Sequence, residues 1–180
     1  MALISERMAK YEDALWAGVA AVKSHGGDIT YPAWHEFART LRIDERYRGI
    51  NGIGIIHIKT PDQIDEYLAN QRVDRPNFDI YPQHDQPVFM PITFIEPEDV
   101  NAAAIGLDLA HETNRRTAAL LSRDTGLAQI TGPIKLVQDA GHTPGFLFYA
   151  PFYRGGPHHD KAARKNSFAG LFMHHLSSRN

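Results

Sequence analysis

Any chemistry in this chain has to come from histidines, hydroxyls and carboxylates, because it contains ten histidines and no cysteine. Thiol catalysis, thiolate metal sites and a disulfide framework are thereby excluded. His111-Glu112 opens like the helix of a zinc peptidase, but Arg115 stands where the second histidine belongs. His158-His159-Asp160 has the right donor types for a metal, yet adjacent ligands in a loop rarely close a coordination sphere, and the segment reads as a solvated loop. His174-His175 falls at the end of a predicted strand, where alternation sends one ring inward to pack and the other outward to solvent. No metal site and no cofactor are expected. Neither is hydrolysis, since there is no Gly-x-Ser-x-Gly and no serine beside a histidine and an acid in a recognisable frame. Gly49-x-x-Gly52-x-Gly54 lies within a predicted strand, whereas a phosphate loop needs its glycines between strand and helix. The chain does not read as an enzyme.

Binding chemistry is better represented. Phe146-Leu147-Phe148-Tyr149-Ala150-Pro151-Phe152-Tyr153 is apolar on both faces of a strand, so both faces must be covered. Phe94, Leu136, Phe146 and Phe148 are candidates for the walls of an apolar pocket on whichever face a ligand occupies, or for core. Asp108 is the candidate polar anchor. It also precedes a predicted helix, where an aspartate caps free N–H groups and contributes about 1 kcal/mol. Both readings stand, and one carboxylate can serve both. As an anchor it would select a ligand bearing N–H donors, because a buried carboxylate without a partner is costly.

The elements that position these residues follow from periodicity. Ile4, Met8, Tyr11, Leu15, Val19 and Val22 form one apolar face of a helix over residues 2–23. That face packs either on the domain's own core or, as a stalk, against a second subunit. Gly26-Gly27 ends it, and a second helix follows over 32–41. Residues 49–58 read as a buried strand, and Thr60-Pro61-Asp62-Gln63 as the capped start of a helix reaching Arg72. A strand is expected over 88–95, with Pro91 marking an edge or bulge. A helix over 109–122 and strands over 134–138, 146–153 and 168–174 complete the chain. The class is α+β, with a central antiparallel sheet of about five strands behind a long N-terminal helix. The division is a stalk helix over 1–30 and one unit over 31–180. A net charge of −2 offers no basic field for nucleic acid.

Several segments, in order, resemble one family. They are Phe94-Ile95-Glu96-Pro97, Gly106-Leu107-Asp108-Leu109, Asn114-Arg115-Arg116, Arg123-Asp124-Thr125-Gly126, the run from Ile130 to Gln138 and the run from Gly145 to Tyr153. With Glu36-Phe37 and residues 49–54 they resemble CHASE domains over Trp34 to Leu176. The resemblance implies a PAS-like sensory module outside the cytoplasmic membrane, binding a small-molecule ligand and signalling to a cytoplasmic histidine kinase or diguanylate cyclase. It implies a homodimeric receptor in the periplasm or extracellular space, anchored by transmembrane segments that these residues do not include. The alternative is a dimerisation or interaction domain of a receptor without a small ligand. The family includes the plant cytokinin receptors, and the resemblance implies that Asp108 contacts ligand through its carboxylate and Ile130 through its backbone. Gln138-Asp139 departs from the threonine those receptors carry, so cytokinin itself does not transfer.

Overall fold

The computed structural model describes residues 2–135 and 144–177. Helix α1 (Ala2–Ser24) ends at Gly26 and Gly27, both at positive φ, where glycine is at ease. Helix α2 (Tyr31–Leu41) begins at Thr30, whose side chain accepts a hydrogen bond from Ala33 N, with proline in its first turn. A single turn, α3 (Ile43–Arg46), leads into β1 (Ile50–His57). The Thr60–Gln63 capping box starts a 3₁₀ turn that runs into α4 (Ile64–Asp74). Then come β2 (Ile92–Glu96), α5 (Glu98–Asn101), α6 (Thr113–Thr125), β3 (Gln129–Ile130), β4 (Ile134–Lys135), β5 (Pro144–Tyr153), α7 (Lys161–Ser167) and β6 (Phe168–Ser177).

One antiparallel sheet of six strands organises the chain, in the order β2-β1-β6-β5-β3, with β4 also paired to β5. This is the expected α+β, PAS-like class, with one strand more than expected. The extra strand is β3, whose two residues carry no period to read. The strand expected over 88–95 is shorter, because before Ile92 the chain makes only isolated bridges, Lys59 with Phe89 and Pro91 with Asp108. The helix expected from Leu109 is two elements. Asp108 caps a 3₁₀ turn over Leu109–His111, and Glu112 caps α6 by accepting from Asn114 N and Arg115 N.

The apolar face of α1 lies on the sheet: Tyr11, Leu15, Val19 and Val22 are buried in one cluster with Phe148, Phe152 and Phe172. Gly18 lets the helix come that close, since a Cβ there would stand 2.2 Å from the Phe172 ring. Trp34 of α2 stacks on Phe94 at 5.9 Å in the same cluster. The opposite face is covered by residues 88–110 and α6, with Met90, Leu107, Leu109, Ala118 and Ala119 over Leu147, Tyr149, Leu171 and Met173. A sheet covered on both sides leaves no wet face. His174 and His175 are therefore both buried, and the expectation that one ring reaches solvent fails for that reason. Burial pushes their pKa values down, to about 3 for His174, beside His175, and to about 4 for His175.

Candidate functional site

The period of two in β5 sorts the predicted pocket residues. Phe148 packs on the α1 side and Phe146 lies partly buried against the same cluster. Leu147 and Tyr149 face the α6 side. Phe94 belongs with the former, between Trp34 and Tyr31. Asp108 lies on the other side of the sheet, flanked by Leu107, Leu109 and Ala110 of the second cluster. The structure thus does not bring Asp108 together with Phe94, Phe146 and Phe148. Ile130 is exposed on the edge strand β3, opposite Phe148 in register. Because Thr131 N donates to Leu147 O, alternation turns the backbone groups of Ile130 away from β5. Leu136 lies outside the described residues.

Asp108 is fully buried and well held. Its Oδ1 accepts from Met90 N at 2.8 Å and Ala110 N at 2.9 Å, and Oδ2 stands 2.8 Å from His84 Nε2. The carboxylate ties the 81–91 segment to the turn before α6, which is the capping role and a loop clasp in one. His84 in turn packs on Phe89 and accepts from Gln86 N.

The residue that stands out on this side is Arg115. It is 6% exposed, on the first turn of α6, and lines a cleft of about 400 Å³ with Leu107, His111, Glu112, Pro133, Ile134 and Lys135. Its Nη2 donates to Lys135 O at 2.8 Å, while Nε has no hydrogen-bond partner. The Tyr149 hydroxyl, on the same face, is also buried without a hydrogen-bond partner among the described residues, and the His175 ring lies on that face beside the backbone of Asn51. Burial pushes the Tyr149 pKa far up, against the pull of the Arg115 charge, so the phenol stays protonated and able to donate. His175 folds across β1 where Gly52 has no side chain; a Cβ at Gly52 would stand 2.4 Å from its Nε2. Buried polar groups in proteins are nearly always paired, so an unpaired guanidinium nitrogen in the wall of a cleft is a candidate contact for a bound molecule.

Other constellations are accounted for. His35, Glu96 and Glu98 have donor atoms within 4.8 Å of one another beside a depression of about 680 Å³. They pair among themselves and with Tyr31: His35 Nδ1 with Glu96, and Tyr31 OH donating to Glu98 at 2.7 Å. This is the set of described residues that could hold a cation. In the 158–160 loop, His158 pairs with Ser167 and Asp160 caps α7.

The sequence model of the CHASE domain matches residues 27–179. The chain belongs to the CHASE domain family. CHASE domains are extracytoplasmic sensory domains of receptors, and the CHASE match covers the whole sheet, α2, α6 and the cleft beside Arg115, but not α1. No curated protein matches the chain. Among the described residues, no helix is long and apolar enough to cross a membrane.

Proposed function

We propose that this CHASE domain binds a small molecule between its sheet and α6 and passes the signal through α1 to a cytoplasmic histidine kinase or diguanylate cyclase, within a homodimeric membrane receptor. The observation that carries the reading is the buried Arg115 in the wall of an open cleft, its Nε without a hydrogen-bond partner among the described residues, with the unpaired Tyr149 hydroxyl on the same face of the sheet. Asp108 acts here by fixing the loop that roofs the layer, and Ile130 borders it from the sheet edge. A ligand that pairs these groups stabilises the bound conformation over the free one, which is the free-energy difference signalling requires.

The test is a thermal-shift screen against amines, purines, amino acids and organic acids. A compound at 100 times its dissociation constant adds roughly 2.7 kcal/mol, and so about 5–10 °C for a chain of this length. The expected hit loses its effect in Arg115→Gln. Failure of every class to shift the wild type would sink the small-ligand reading and leave the interaction domain in its place.

A further inference from the structure

We infer that the ligand of this site carries an anionic group, most simply a carboxylate, and that Arg115 is the specificity-determining residue that receives it. The inference rests on the proposed sensory site and adds its chemical class. A guanidinium keeps its charge at any pH at which the protein folds, so burial cannot be relieved by losing a proton. Burying a charge is costly unless it is closely paired, and the pairing of Arg115 is loose. Among the described residues its side chain has one hydrogen-bond acceptor, the carbonyl of Lys135, and one long ion pair, with Glu112. Its nearest carboxylate is committed elsewhere: Glu112 accepts from Asn114 N through Oε1 and from Arg115 N through Oε2, each at 2.9 Å, to cap α6. That duty leaves Glu112 Oε2 3.9 Å from Arg115 Nε, beyond hydrogen-bond reach.

With Arg115 and Lys135 against Glu112, the described lining of the cleft is net positive by one charge. Lys135 stands exposed at its rim, and Glu112 is the one carboxylate among the described lining residues. His111 also lines it, with Nδ1 engaged by the backbone oxygen of Asp108. The Asp108 carboxylate is not among the described lining of this cleft: its Oδ1 accepts two backbone N–H groups, and its Oδ2 lies 2.8 Å from His84 Nε2, close enough for an ion pair but without hydrogen-bond geometry. A carboxylate in the cleft approaches the Arg115 guanidinium, whose Nε is buried and without a hydrogen-bond partner among the described residues, so full engagement requires a small shift of the side chain. Arginine binds carboxylates through charge-assisted, often bidentate, hydrogen bonds, and a site that holds such donors in place discriminates strongly against a neutral analogue.

The experiment uses matched pairs, benzoate with benzamide, succinate with succinamide and indole-3-acetate with its amide, followed by thermal shift and calorimetric titration. At least one acid is expected to raise the Tm by about 5 °C near saturation, with its amide without effect. Arg115→Gln is expected to weaken that acid at least tenfold, and Arg115→Lys to keep part of the affinity, with both variants folded by circular dichroism. A second readout needs no ligand. Arg115→Met should keep the wild-type Tm in unliganded protein, because a charge held for a ligand contributes little to the empty fold. A Tm loss of about 10 °C in Arg115→Met would make the guanidinium structural and overturn the inference. Equal binding of acid and amide, binding of acids unchanged by Arg115→Gln, or shifts from amines and purines alone would also overturn it, with the sensory site intact. If no compound of any class binds, the sensory site falls with it.

Discussion

The two faces of the sheet are covered differently. Toward α1 and α2 the layer is aromatic: Trp34 lies within about 6 Å of Phe37, Phe94 and Phe172, ring to ring. Toward α6 the layer is aliphatic and methionine-bearing and holds the Arg115 guanidinium and the Tyr149 phenol, while buried polar atoms without a hydrogen-bond partner occur in both layers, Trp34 Nε1 and the His174 ring lying on the α1 side. Aromatic packing of the first kind is close to its final density and tolerates little change. The second borders the cleft beside Arg115. One face of the sheet thus carries the densest aromatic packing, and the other carries the cleft.

Three experiments sharpen or break that contrast, taken from the largest effect down. Trp34→Ala empties the middle of the aromatic layer and should cost about 3–5 kcal/mol in a urea unfolding experiment. A loss under about 1 kcal/mol would mean that this layer is not where stability resides. The second concerns pH. Burial, with the Lys59 charge second, lowers the His57 pKa to about 4, and burial lowers His174 to about 3 and His175 to about 4. Unfolded histidines take up protons near pH 6.5 that the folded chain refuses, so stability is full above that pH and falls as pH drops toward 4. At pH 5 each ring should cost on the order of 2 kcal/mol. Urea midpoints at pH 7.5 and pH 5 measure this, and His174→Leu should narrow the gap by about one ring's share. A flat profile would show that the rings find partners. The smallest effect is Tyr149→Phe, which removes an unpaired hydroxyl and should leave stability unchanged or raise it by up to about 1 kcal/mol. A loss of that size or more would mean the hydroxyl is already bonded in the free protein.

How much of this was legible in the sequence differs from element to element. The α1 face was readable because four of its apolar residues recur at helical spacing over a helix long enough to average the signal. The aromatic alternation of β5 was equally plain, but alternation is symmetric. It sorts 146 and 148 from 147 and 149 without saying which side a helix will cover. That is why Phe94, Phe146 and Phe148 were natural pocket candidates and yet stand with α1. Helix α7 had a signal that went unused, Asp160 followed by a run of helix formers. Arg115 had one too. Arg115, Ala118, Ala119 and Ser122 are all buried, at spacings of three, one and three, so the helical stripe itself places an arginine on the inward face. Judged only as a missing histidine, Arg115 looked like a defect in a motif. The caps divided by chemistry the sequence could not resolve: aspartate and glutamate both accept backbone N–H groups, and Asp108 with Glu112 share the work across two short elements.

Strand β6 has a mechanical consequence. Its even and odd residues are both loaded: Phe172 meets α1 at Gly18, and Met173 and His175 lie over the glycines of β1 on the far side. Such a strand works as a stiff diaphragm between two filled chambers. Protein interiors compress little, so pressure on Met173 or His175 has nowhere to dissipate except through the backbone into Phe172. Where helix and ring already touch, there is no slack to absorb it. The site need not be wired to α1 by a chain of residues, because a single thickness of polypeptide separates them.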